Sequence, residues 1–291
     1  MAQELLLRSG RTEARISSFG AELTGLCHRD HGDLLWRGDA RWWDHSSPIL
    51  FPVVGRSAND RIRVGKTSYP MPLHGFAHAM AFEVVERGAD RCLLRLADSL
   101  ATQLHYPFPF VLDIAYVLAG EVLSVDATVR NPGGTILPAS FGFHPGFRWP
   151  LLSGLAKDSH RLVFDADEQL EVFRARNGLI LPEGSILDAK GGVLPLSERL
   201  FDDGAMMLTS LRGRRVRFEA PGAPLAIELG FRNLPFLGIW MKPSADFLCI
   251  EPWAGHADPE GFDGDIFARP GIVPIAPGET AAFAMDIAIR D

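Results

Sequence analysis

Alternation of apolar and polar residues with a period of two restricts this chain more than any other feature of its sequence. Leu123, Val125, Ala127 and Val129 alternate with Ser124, Asp126, Thr128 and Arg130, and Asn131-Pro132-Gly133-Gly134 then closes the run. Side chains on a strand point to opposite faces in turn, so this pattern describes a strand with one wet face. Phe283, Met285, Ile287 and Ile289 repeat it near the end of the chain, after a Pro277-Gly278 turn signal. Further strands are expected at about 82–86 and 91–97 around Gly88-Ala89-Asp90, at 111–118, at 215–219 and 225–231 around Pro221-Gly222, and at 236–241 and 247–251. Helical spacing is scarce, confined to 98–105 and 197–201. The 29 glycines and 21 prolines spread turn chemistry along all 291 residues, without a linker that would cut the chain. Short strands at close spacing point to an all-β antiparallel sandwich or barrel rather than βαβ units. One domain over residues 1–291 is the expected organisation, since all-β units of roughly 250 residues are common.

Composition narrows the partner. With 29 Lys plus Arg against 36 Asp plus Glu, the formal charge is −7, which disfavours the basic face that nucleic acid or an anionic membrane requires. A small neutral or modestly charged molecule is expected instead, acting on a monomer or homodimer. Cys27, Cys92 and Cys249 are far apart and form no C-x-x-C pair, so neither a zinc ribbon nor a disulfide framework is expected. The apolar run Leu5 to Leu7 is too short for a signal peptide or membrane helix, and a cytoplasmic location is the expectation.

Nucleotide-binding glycine motifs and the G-x-S-x-G elbow are missing from the sequence. His74 and His78 have the i, i+4 spacing of a helical metal pair. Pro70, Pro72 and Gly75 argue against a helix there, so no metal is expected. The acidic stretch 258–265 does not keep the calcium-loop register and is read as a solvated loop.

Four segments place charged or imidazole groups among apolar neighbours: PILFPVVGR (48–56), LHGFAH (73–78), SFGFHPGF (140–147) and FLCIEPW (247–253). Burying such groups costs several kcal/mol unless they are paired, so repeated instances suggest that they are collected in one pocket. On a strand, Phe247, Cys249 and Glu251 share a face while Leu248 and Ile250 take the other. Glu251 is expected at the strand end, with Pro252 stopping the ladder. An ion pair with Arg56 or Arg232 would be the structural alternative. His144 is expected at a strand-to-loop junction, poised to give or take a proton near neutrality. Arg56 suits a guanidinium fork aimed at hydroxyls or a phosphate. Trp240, Trp253, Phe143 and Phe147 are candidate aromatic faces for a sugar ring. A carboxylate and an imidazole in one pocket need no cofactor for proton transfer.

These segments, with FLCIEPWAGHAD and RPGIVPIAPGE, resemble those of the aldose 1-epimerase family, the galactose mutarotase-like proteins, from about Ile16 to Ile289. The resemblance implies a large antiparallel β-sandwich of supersandwich type with a sugar groove on one sheet face. It implies that a glutamate takes the proton of the anomeric hydroxyl while a histidine protonates the ring oxygen, so that the ring opens, turns and recloses as the other anomer. Glu251 matches the base and His144 the acid. Arg56 and His74 match positions that bind sugar hydroxyls, and Trp253 adds an aromatic face. A hydroxyl-binding aspartate falls within residues 200–204, where Asp203 is chosen over Asp202. Relatives acting on hexose 6-phosphates, and a sugar-binding protein without catalysis, are the alternatives.

Overall fold

The computed structural model describes residues 2–166 and 169–290. Two large antiparallel sheets dominate, one of nine strands and one of eight, with a four-stranded sheet and two two-stranded ribbons at their margins. The alternating run 123–130 forms the strand Val122–Arg130, paired with Val111–Ala119 on one side and with Thr280–Arg290 on the other. Thr280–Arg290 also pairs with Ala226–Arg232, so the last strand joins the two halves of the chain within one sheet. Leu123, Val125, Ala127 and Val129 are all buried, as their parity requires.

The eight-stranded sheet packs on the nine-stranded one through a core rich in aromatic rings. Phe141 of the first stacks on Phe283 of the second at 5.0 Å. Each fully buried Leu or Phe of this core contributes roughly 1.5–3 kcal/mol. Helix is confined to short pieces: Leu100–Gln103, with a Ser99/Thr102 capping box, and single 3₁₀ turns including Glu198–Phe201. None of the described helices is long and apolar enough to cross a membrane.

The strand Phe247–Ala254 carries the site, and it is buried along both faces. Leu248, Ile250 and Ala254 belong to the main core. Phe247 and Cys249 lie in a separate outer cluster with Trp36, Trp43 and Trp240, and Trp253 in another with Leu50, Val54, Ile180, Met207 and Ala257. The strand runs three residues further than the sequence suggests. Pro252 does not end it but faces Leu237 in mid-sheet. Ile250 N–H donates to Pro145 O, so the N–H that Pro252 lacks would have pointed at the same neighbour. That neighbour is interrupted there, between Phe141–Phe143 and Gly146–Arg148. A proline fits where no ladder partner exists.

Candidate active site

The interruption in the neighbouring strand is where His144 sits. Gly142, His144 and Gly146 share the outer face with Glu251, and His144 Nε2 stands 3.0 Å from Glu251 Oε2. Their side chains are only 7% and 2% exposed. The contact is close but lacks hydrogen-bond alignment, and Glu251 Oε2 and His144 Nδ1 both lack a hydrogen-bonding partner among the described residues. Among the described residues no arginine is paired with the carboxylate: Arg232 pairs with Asp286 and Asp126, and Arg56 with Asp60.

Burial pushes the Glu251 carboxyl well above the ordinary carboxylate range. It pushes His144 well below the ordinary imidazole range, and the nearby His74 adds to that. Both shifts favour the uncharged forms, because the low-dielectric surroundings penalise each charge.

Two indoles and an imidazole surround the His144 ring. Trp43 lies 4.9 Å from the His144 ring and Trp240 6.0 Å, while His74 meets it edge-on at 5.4 Å. His74 adopts a left-handed φ of 63°. Its Nδ1 accepts the Gly55 N–H at 3.1 Å, so a neutral His74 presents Nε2–H as a donor. Burial, with the neighbouring His78 and His45, pushes His74 down to about 3. Trp253 lies across the sheet over two glycines: Gly142, its ladder partner on one side, and Gly238, which pairs with Glu251 on the other. A Cβ at Gly238 would stand 2.4 Å from its Cη2, and one at Gly142 would stand 2.6 Å from its Cδ1. The Trp253 indole N–H is buried without a partner.

The sequence missed Glu22, Trp43 and His45. Glu22, next to the N-terminal four-stranded sheet, accepts the N–H groups of Ser46 and Ser47 at 2.6 and 3.0 Å and meets His45 Nδ1 at 3.2 Å. That bond holds His45 above the ordinary imidazole range. Trp36 fixes the same loop by donating its indole N–H to Trp43 O at 2.8 Å. The aromatic cluster Trp42-Trp43-Asp44-His45 was the available signal.

Of the six site residues expected from sequence, Glu251, His144 and His74 converge, and Trp253 shares their sheet face. Arg56 does not touch the pair. Its Nε and Nη2 bind Asp60 at 2.7 and 3.3 Å, and Nη1 donates to Asn177 O at 3.0 Å. Asp203 is exposed on the turn after Glu198–Phe201, within electrostatic reach of Arg174. Phe143 and Phe147 are fully buried in the main core and so are not ligand-facing aromatics. The stretch 258–265 is not wholly solvated either. Asp258 is buried against Arg269 at 3.0 Å, and Arg269 also binds Ser57 Oγ, Val54 O and His256 O. That buried pair ties the loop before Arg56 to the one after Trp253. His74 and His78 do not share a helix, since only a 3₁₀ turn, Ala77–Ala79, lies between Pro72 and Met80.

Residues 3–194 match the family model described as aldose 1-epimerase. Protein LacX of Lactococcus lactis subsp. lactis, in its plasmid and chromosomal forms, is 24% identical over 298 residues, covering 97% of this chain and 98% of the relative. A galactose mutarotase related enzyme from Lactobacillus acidophilus superposes with a TM-score of 0.94 at 25% identity, over 99% of this chain and 98% of that one. A galactose mutarotase-like protein from Lactobacillus casei gives 0.90 at 28% identity, over 99% and 100%.

Proposed function

The chain belongs to the aldose 1-epimerase family, and on that premise we propose that it interconverts the α and β anomers of an uncharged hexose by acid–base ring opening and closure. The observation that carries this reading is a buried carboxyl whose Oε2 has no hydrogen-bonding partner among the described residues and stands 3.0 Å from an imidazole nitrogen. The resting pair is uncharged, so the Glu251 carboxyl first passes its proton to His144 Nε2, 3.0 Å away. From that ion-pair form Glu251 takes the proton of the anomeric hydroxyl as His144 delivers one to the ring oxygen, breaking the C1–O5 bond. After C1 turns, the roles reverse and the pair returns to its starting state. One proton moves each way, so no other reagent is consumed. The water-poor surroundings of Trp43, Trp240 and Trp253 strengthen every charge interaction inside them.

His74 Nε2–H and the unpartnered Trp253 N–H are donors for sugar hydroxyls, and the Trp253 face covers the apolar side of the ring. Arg56 and Asp203 match hydroxyl-binding positions only through the resemblance, and their loss is expected to raise KM rather than to abolish turnover. An uncharged substrate is supported by the wall around the pair: indoles, a neutral His74, and an Arg56 fork already engaged with Asp60 and Asn177.

The test is the approach to anomeric equilibrium of freshly dissolved α-D-glucose, α-D-galactose and glucose 6-phosphate, followed by polarimetry with the parent and Glu251→Gln. The parent accelerates a neutral hexose, and the variant loses about 10²–10⁴-fold while remaining folded. Undiminished activity in the variant would sink the assignment. Preference for glucose 6-phosphate would select the phosphosugar alternative, and binding without acceleration the sensor.

A further inference from the structure

We propose that His144 Nε2, Cys249 Sγ and a carboxylate oxygen of Glu251 form a three-ligand site for Zn²⁺, in which the bound ion shuts the acid–base pair to sugar. The three ligand atoms lie within 4.8 Å of one another, and all three residues are buried. Nitrogen, sulfur and oxygen around one point is a donor set that zinc accepts, with three protein ligands and an open fourth position. Zn–N, Zn–S and Zn–O bonds in a tetrahedron place the ligand atoms roughly 3.3–3.6 Å apart. The His144–Glu251 contact is already at 3.0 Å, so the thiol has to close by about 1 Å, within reach of a χ1 adjustment.

Position on the sheet makes the set rigid. Cys249 and Glu251 are two residues apart on one strand and therefore on one face, and Gly146, just past His144, pairs with Cys249 across the ladder. Glu251 Oε2 is a buried acceptor with no hydrogen bond, which a cation would satisfy. The Cys249 thiol and the Glu251 carboxyl each give up a proton to solvent as the ion binds. Hard cations such as Mg²⁺ and Ca²⁺ prefer all-oxygen cages, so they do not compete. His144 Nδ1 has no partner to orient it, and ligands lacking such support bind roughly 10–100-fold more weakly. The site is therefore a reversible, inhibitory one rather than a structural zinc. The inhibitory consequence rests on the catalytic roles proposed above; the binding itself does not.

The experiment is titration of the purified protein with Co²⁺, read as the near-ultraviolet thiolate-to-cobalt band, followed by displacement with Zn²⁺. Parent and Cys27→Ser show the band at one equivalent, whereas Cys249→Ser and Cys249→Ala do not. Zn²⁺ slows anomerisation by the parent and EDTA restores it. Cys249→Ser keeps the metal-free rate while its half-inhibiting Zn²⁺ concentration rises about tenfold or more. No band in the parent, a band that survives in Cys249→Ser, or equal inhibition of both proteins would overturn the proposal. If the parent accelerates none of the sugars, the cobalt titration still decides the site, and the two ideas fail separately.

Discussion

Replacing Gly238 by alanine tests whether the indole of Trp253 lies flat on the sheet. Gly238 sits in the strand Phe236–Trp240 opposite Glu251, in ordinary strand conformation, so only the contact forbids a side chain. The added Cβ would meet Trp253 Cη2 and Cζ2 at 2.4 Å, against an optimum of roughly 3.5–4.0 Å. The ring must therefore retreat by about 1 Å from a packed position, and overpacking of this kind costs about 1–3 kcal/mol. Leaving glycine in a strand would by itself gain about 0.5–1 kcal/mol. The two effects separate in a double-mutant cycle. In the parent, Gly238→Ala lowers the urea midpoint and raises KM for sugar, because the lifted ring intrudes on the cleft. In a Trp253→Leu background the same substitution is neutral or stabilising. Equal effects in both backgrounds, within about 0.5 kcal/mol, would refute the reasoning.

Glu22→Gln keeps an oxygen for the Ser46 and Ser47 N–H groups but removes the charge facing His45. Glu22 holds His45 above its usual value of 6.5, so the stabilisation is fully present below that value and fades as pH rises through the folded pKa. The parent should exceed the variant by roughly 1 kcal/mol near pH 6, and urea midpoints should converge by about pH 9. Arg269→Leu leaves Asp258 buried and unpaired. It should lower stability by about 3–5 kcal/mol, and adding Asp258→Asn should recover part of the loss in the same denaturation assay.

Period two revealed much of the frame. The strands Arg91–Ala97 and Arg215–Glu219 have the bounds read from sequence, because both are flanked by strong turn residues. Gln169–Arg176 and Leu179–Asp188 were not visible, since their register shifts between Phe173 and Ala175, where the partners Gly184 and Ile180 are four residues apart. In the site, parity placed Glu251 correctly because its strand is uninterrupted. The same rule, applied to Phe143 and His144, already puts them on opposite faces; Phe143 points into the main core and cannot flank the sugar. Trp43 could not be placed, because its position depends on Trp36 and on a loop braced by Glu22, which is 24 residues from Ser46. Arg56 could not be oriented for a similar reason. One of its partners, Asn177 O, is 121 residues away.

The outer face of the eight-stranded sheet follows a simple steric logic. Two of its tryptophans lie over glycines: Gly142 and Gly238 under Trp253, and Gly146 under Trp43, whose Cζ3 would be 2.7 Å from an added Cβ. The indoles thus sit one side-chain layer closer to the backbone than usual and wall off the stripe between them. Glu251 and His144 occupy that stripe. A carboxylate placed there without a counterion costs several kcal/mol in a low-dielectric setting. Leu248 and Ile250, on the opposite face of the same strand, anchor it in the main core. The groups that destabilise the fold and the groups that secure it are therefore adjacent in sequence and separated only by parity. The pair can remain uncharged, close and unsatisfied without loosening the strand that carries it. The same enclosure that makes the charge expensive in the free protein makes it effective on a bound substrate, since few water molecules remain to screen it.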